Sequence, residues 1–355
     1  MSITAKEIAE MLNVSPSAVS LALNGKPGVG DATRELIINT AAKYDYAVPQ
    51  RHNQPSVTRN IRYVIYVGEG LVVNEISFHS IVLQGIEARA KKLGYNVLLS
   101  YFYSSQDETD QLNAIFQNTA GIILLGTELD ESSGLLEHPI VRQHPEVPIV
   151  IVDTKTFHSE IDCVFTDNLR GAYKAIEYMI NQGHTKIGYL SSIQRILNFD
   201  ERSEGVHRAM ADHPEATLQV VPVDFSSEKA YHDVCLWLKD NRDLPTAFFA
   251  DSDVIAFGAI RAFNRFEYKI PDDVSIIGFD DMPACEMISP PLTTIKVMKV
   301  LMGSKAMDLL HQRILEGTHG PASDHCGVFR IAISTDIKVR KSVASLPRAN
   351  TANSI

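Results

Sequence analysis

Between residues 63 and 280 short apolar runs alternate with amphipathic stretches, and nothing else in the sequence narrows the possible folds so far. The runs at 63–67, 97–101, 122–125, 149–152, 187–190, 220–223, 247–250 and 275–279 hold few polar side chains. Strands apolar on both faces belong to sheets covered on both sides. Stretches between them, at 81–93, 108–116, 172–182, 226–238 and 254–266, carry apolar residues at helical spacing. The alternation predicts an α/β fold of parallel sheets flanked by helices. So many strands exceed one comfortable sheet and predict two lobes.

The N-terminal segment is built differently. Thr4-Ala5-Lys6-Glu7 has the form of a capping box and begins a helix carrying Ile8, Ala9, Met11 and Leu12. Only Asn13 and Val14 separate it from a second helix, for which Ser15 is an N-cap and Pro16 a first-turn residue. Val19 and Leu23 share one side of that helix, while Ser17 and Ser20 point elsewhere. The spacing fits an ordinary helical hairpin as well as a helix-turn-helix, whose second helix enters the DNA major groove. A third helix over 35–46 predicts a small core of Ile8, Leu12, Val19, Leu23, Leu36 and Ile37.

Taken together, Thr4, Ile8, Ala9, Val14, Ser15, Val19, Ser20, Asn24, Val29, Thr33, Arg34, Tyr46 and Pro49 resemble the headpiece of the lactose-repressor (LacI/GalR) family of bacterial transcription regulators. The resemblance implies an all-α helix-turn-helix headpiece at 1–48, a hinge at 49–61 and a two-lobed periplasmic-binding-protein-like effector domain at 62–341. Its first lobe would hold 62–164 and 294–324, its second 165–293 and 325–341. The tail 342–355 lacks a heptad pattern and is expected to be disordered.

The resemblance places Ser15, Pro16, Ser17, Ser20, Leu21 and Asn24 near bases, with Thr4, Thr33, Tyr46 and Arg51 toward the DNA backbone or minor groove. Pro16 and Ser17 fall on the family's base-reading pair. Leu21 stands where many members carry an arginine that reads guanine. A leucine makes only apolar contacts, so a weaker guanine demand is expected there. In the hinge, Asn53 and Ser56 replace the usual alanine and leucine, and Pro55 interrupts the short helix that wedges into the minor groove.

Charge supports a division of labour. The formal net charge is −10, yet residues 1–62 carry +2, leaving −12 for the rest. An acidic body repels phosphates, so only the headpiece is expected to approach DNA. With 45% hydrophobic and 21% charged residues the chain has ample material for a core. No apolar run reaches membrane-span length and no signal-peptide pattern opens the chain, which predicts a cytoplasmic protein. Cys163, Cys235, Cys285 and Cys326 lie far apart and read as reduced core thiols.

Ligands of open parallel sheets collect at the carboxyl ends of strands. Asp153, Asp224, Asp251, Asp253, Asp280 and Asp281 all follow predicted strands. A sugar asks for carboxylate acceptors, a guanidinium and an aromatic face, which Asp153, Asp280, Arg202 and Phe225 offer. The resemblance puts effector contacts at Asp153, Arg202, Phe225, Ser252, Asp253 and Asp280, with Phe78 and His79 lining the cleft from the other lobe. An aspartate after a strand equally serves as an N-cap, Asp253 as a brace for its helix, and Phe225 as core.

Gly68-Glu69-Gly70 lacks the third glycine of a dinucleotide fingerprint, since position 73 is Val. Asp251 and Asp253 have no accompanying metal ligands at the right spacing. No catalytic constellation can be assembled, so neither an enzyme nor a bound cofactor or metal is expected. The partners expected are double-stranded operator DNA, a second copy of the chain and a small effector. The effector class expected is a small sugar or sugar phosphate, and stretches 180–183 and 302–304 resemble galactoside-operon regulators. A purine, or control by a phosphoprotein, is the alternative, followed by a plain solute-binding protein.

Overall fold

The computed structural model describes residues 4–23, 28–44, 46, 59–68, 70, 73, 78–129, 138–142, 146–155, 161–241, 243–317 and 327–347. Of the expected site residues, Asn24 and Arg51 lie outside these, as do most of the hinge and Cys326. The chain divides into two compact units, 1–58 and 59–355.

The first unit holds α1 (Ala5–Met11), α2 (Pro16–Leu23) and α3 (Asp31–Lys43). Thr4 and Glu7 form a complete capping box at the start of α1. Asn13, at φ 50°, closes its far end in the left-handed region that asparagine tolerates, and Val14 N–H returns to the Ala9 carbonyl at 3.0 Å. The Ser15 hydroxyl accepts from Ala18 N–H at 3.1 Å, as an N-cap should. The core is Ile8, Ala9, Val19, Ala22, Ile37 and Ala41, with Leu12 and Leu23 packed on its edge. Leu36, expected inside, is 53% exposed, because Ile37 one step round α3 takes the inward position.

The second unit contains two six-stranded sheets. In chain order its elements are β1 (Asn60–Val67), α4 (Phe78–Leu93), β2 (Asn96–Tyr103), α5 (Glu108–Phe116), β3 (Gly121–Leu125), α6 (Pro139–Arg142), β4 (Ile149–Val152) and β5 (Asp162–Thr166). There follow α7 (Asn168–Asn181), β6 (Lys186–Ser192), α8 (Leu197–Asp212), β7 (Thr217–Val223), α9 (Ser227–Asp240), β8 (Ala247–Ala250), α10 (Asp253–Arg265) and β9 (Ser275–Asp280). The last are β10 (Thr293–Lys296), α11 (Lys299–Glu316), β11 (Arg330–Ile333) and β12 (Asp336–Lys338).

The sheet orders are β11-β5-β4-β3-β1-β2 and β12-β10-β9-β8-β6-β7. Every pairing is parallel except β10 with β12. Strands β3, β8 and β9 are buried at every residue, which is why β3 and β8, and β9 between its polar ends, appear as apolar runs.

The chain crosses between sheets after Thr166, after Lys296 and after Ile333, and this corrects the expected lobe boundaries. β10 belongs to the second sheet, paired with β9, although 294–324 was assigned to the first lobe. β11 belongs to the first sheet, paired with β5 from Arg330–Cys163 to Ile333–Thr166, although 325–341 was assigned to the second. β1 begins at Asn60, within the expected hinge, because Asn60 and Ile61 already pair with Asn96 and Val97.

The start of the tail is also ordered. Ser342 is fully buried, its hydroxyl donating to the Ile276 carbonyl at 2.6 Å and accepting from Thr293 N–H at 2.8 Å. Leu346 N–H reaches the Gln182 carbonyl at 2.7 Å, and His184 Nε2 lies 3.1 Å from the Ala344 carbonyl. Residues 348–355 lie outside the described part.

Candidate functional site

A cavity opens between the carboxyl ends of the two sheets. The first lobe lines it with Val73, Phe78, His79, Leu125, Thr127 and Asp153; the second with Ile196, Asn198, Phe199, Arg202, Phe225 and Asp280. Phe78, Asp153, Arg202, Phe225 and Asp280, and with them His79, thus converge as expected.

Asp153 and Asp280 each follow the last residue, or form it, of a central strand, at φ 65° and 118°. L-residues at positive φ cost about 1–3 kcal/mol and collect where a ligand is held. Asp153 accepts from the Thr127 hydroxyl at 2.6 Å and from Asn198 Nδ2 at 3.2 Å. Asn198 Oδ1 accepts from Asn168 Nδ2 at 3.0 Å, and Asn168 Oδ1 from Arg202 Nε at 3.0 Å. Arg202 then reaches Asp280 Oδ1 at 3.5 Å and also donates to the Asp251 carbonyl. One line of polar groups therefore runs from the first lobe to the second beneath the cavity.

The guanidinium of Arg202, 5% exposed, lies 3.7 Å from the centre of the Phe279 ring. Phe225 and Phe199 meet at 5.5 Å with their rings tilted by 34°. Burial pushes the Asp153 carboxyl up to about 7, against the bonds from Thr127 and the charge of Arg202. Asp280 is also raised by burial, with Arg202 and Lys299 opposing. Lys299 Nζ donates to the Asp280 carbonyl.

Ser252 and Asp253, expected at the ligand, do not line the cavity. Ser252 is the N-cap of α10, accepting from Ile255 N–H at 3.2 Å. Asp253 is fully buried and accepts from Thr294 Oγ1 at 2.6 Å, Met282 N–H at 2.7 Å and Cys285 Sγ at 3.1 Å. It fits because Gly278 has no side chain: a Cβ there would lie 2.2 Å from Asp253 Oδ1. Asp253 therefore braces β9 and β10. Asp251 is likewise internal, bound by Tyr189 Oη at 2.7 Å and Ser192 N–H at 2.8 Å, and pushed up to about 6 by burial.

Thr127, Asn168, Asn198 and Phe199 were missed by sequence reasoning. Their signal was weak: Asn168 and Asn198 sit in the first turns of α7 and α8, where asparagine ordinarily reads as a capping residue. Among the described residues no group of three or more His, Cys, Asp or Glu is placed to hold a metal.

In the first unit Thr4, Ser15, Pro16, Ser17 and Ser20 are exposed, and Leu21, Thr33 and Tyr46 half-buried. The outward face of α2 is thus small and polar. Arg34 secures the last turn of that helix through the Ala22 carbonyl at 3.4 Å.

A three-helix unit whose second helix presents a small polar face, joined in one chain to a two-sheet body with a polar cleft, defines a ligand-responsive DNA-binding regulator. A family model for a periplasmic binding protein-like domain matches residues 176–343. The transcriptional repressor PurR of Vibrio parahaemolyticus is 30% identical over 326 residues, covering 89% of this chain and 93% of the relative. PurR of Mannheimia succiniciproducens is 27% identical, covering 97% and 99%. A solved LacI-family regulator from Enterococcus faecium, with bound ribose, superposes with a TM-score of 0.66 at 26% identity, covering 81% of this chain and all of its own. The chain belongs to the LacI/GalR family and is a DNA-binding transcriptional repressor, not an enzyme. No helix among the described residues is long and apolar enough to cross a membrane.

Proposed function

We propose that the protein represses carbohydrate-utilisation genes as a homodimer on a two-fold operator and is controlled by a small sugar in the interlobe cleft. The observation that carries this is the pair of buried aspartates on opposite walls, with Arg202 between them and phenylalanine faces beside them. Acidic groups on both walls, of which Asp153 keeps its proton up to about pH 7 and so donates as well as accepts, suit sugar hydroxyls, which do both, and an apolar ring face suits Phe225. The Enterococcus regulator with bound ribose supports the same class.

A purine is the second reading, favoured by the similarity to repressors named PurR. The contact between Phe199 and Phe225 leaves no slot between those two rings for a planar base, which favours the sugar.

A thermal-shift screen of the whole protein against mono- and disaccharides, sugar phosphates and purines tests this. A ligand at a hundred times its Kd adds about 2.7 kcal/mol to the native state. The expected result is a sugar hit that disappears in Arg202→Ala and Asp280→Asn. A hit confined to purines replaces the sugar reading. On the DNA side Ser15, Pro16, Ser17, Ser20 and Asn24 approach bases in this proposal, with Thr4, Thr33, Tyr46 and Arg51 toward the backbone or minor groove. Leu21→Arg is expected to add a guanine preference worth about 1–3 kcal/mol, and an unchanged binding-site profile would count against that placement.

A further inference from the structure

At the first-lobe wall of the cleft, around Val73, three backbone N–H groups converge on one side chain. Glu128 Oε2 accepts from Gly68 and Gly70 at 2.9 Å each, and Oε1 from Val73 at 2.8 Å. Gly68 directly follows β1, and Gly70 has φ 70°, in the left-handed region that glycine adopts freely. Backbone N–H groups converging on one point make a concavity that suits a phosphate or other anion. Here the cradle is filled from within. Glu128 stands in the turn Gly126–Leu129, whose ends are joined by an N–H to carbonyl bond of 2.9 Å. The carboxylate ties together two segments that both line the cleft, through Val73 on one and Thr127 on the other.

We infer that Glu128 is a positioning residue that sets specificity: its carboxylate occupies the anion cradle, fixes the Val73 wall, and reserves the cleft for unphosphorylated ligands. The selectivity part rests on the cleft being the effector site. A phosphate ester would find the cradle taken and would lie beside Asp153 and Asp280, while Arg202 already directs bonds at Asn168, Asp251 and Asp280.

Two measurements on the full chain test this. The first is melting of the wild type and Glu128→Ala with inorganic phosphate or formate at millimolar concentration. The wild type is expected not to respond, and Glu128→Ala to melt lower and to recover several degrees with either anion. A merely structural carboxylate would give no such rescue. Equal responses in the two proteins would overturn the inference. Should Glu128→Ala fail to fold, Glu128→Ser takes its place: it too vacates the cradle, and the same rescue by formate is read.

The second compares aldoses with their phosphate esters. The wild type is expected to prefer the free sugar at least about tenfold, and Glu128→Ala to narrow that ratio; an ester bound as tightly as its sugar would also overturn the inference. If neither sugar nor ester binds the wild type, the sugar reading fails by itself, and the anion rescue still decides on the cradle.

Discussion

Asp153 and Asp280 face the same cavity from opposite lobes and share a backbone device, an aspartate at the end of a central strand turned to positive φ. They differ in company. Asp153 is held by neutral groups, Thr127 and Asn198, whereas Asp280 has Arg202 and Lys299 beside it. A buried carboxyl with neutral partners titrates near neutrality and is sensitive to what enters the cavity. Burial raises Asp280 as well, and there the charges of Arg202 and Lys299 oppose it and tie its fate to theirs. One lobe therefore carries an acid whose hydrogen-bond partners are neutral and the other an acid set between two cations.

The largest blow to this contrast is Arg202→Ala. It leaves Asp280 buried without its guanidinium and breaks the line of bonds at its middle, at an expected cost of about 3–5 kcal/mol in denaturant unfolding. Asp153→Asn sharpens the contrast with a smaller effect. In the folded protein Asp153 holds its proton up to about pH 7, while the unfolded chain releases it near 4. The stability it contributes is complete below about pH 4 and is lost as pH rises through 7. Asp251 and Asp253 act in the same direction. The wild type is thus expected to lose melting temperature between about pH 4 and pH 7, and Asp153→Asn to lose less. Identical slopes would assign the effect to Asp251, Asp253 and Asp280.

The smallest expected effect lies outside the cleft. Thr4→Ala removes the capping box of α1 and is expected to cost the headpiece about 1 kcal/mol, with no change in effector binding.

The sequence displayed most of the frame and part of the site. Strands such as β3 and β8 are legible because every residue is buried and apolar. β5 and β10 were hidden by Asp162, Thr293 and Thr294, whose polar atoms are satisfied only by distant partners: Arg313 for Asp162, Arg340 N–H for Thr293, Asp253 for Thr294. α8 escaped for a related reason. Its buried face carries Asn198, Glu201 and Arg202, so the helix that builds the site has no simple apolar stripe. Arg202 and Asp280 were visible through their neighbours in sequence. Ser252 and Asp253 misled because a residue that follows a strand faces either the cavity or the next helix, and here the missing side chain of Gly278 opened the second course.

The three crossings between sheets have a consequence for synthesis. Each sheet receives an edge strand from the last described part of the chain, β11 for the first and β12 for the second. The headpiece, made from the first 58 residues, leaves the ribosome long before either sheet is complete. Domains fold in the order in which they emerge. During translation the DNA-reading part therefore matures first, while the part that answers to ligand waits for nearly the whole chain, so every newly made molecule passes through a stage in which it has a headpiece and no finished control.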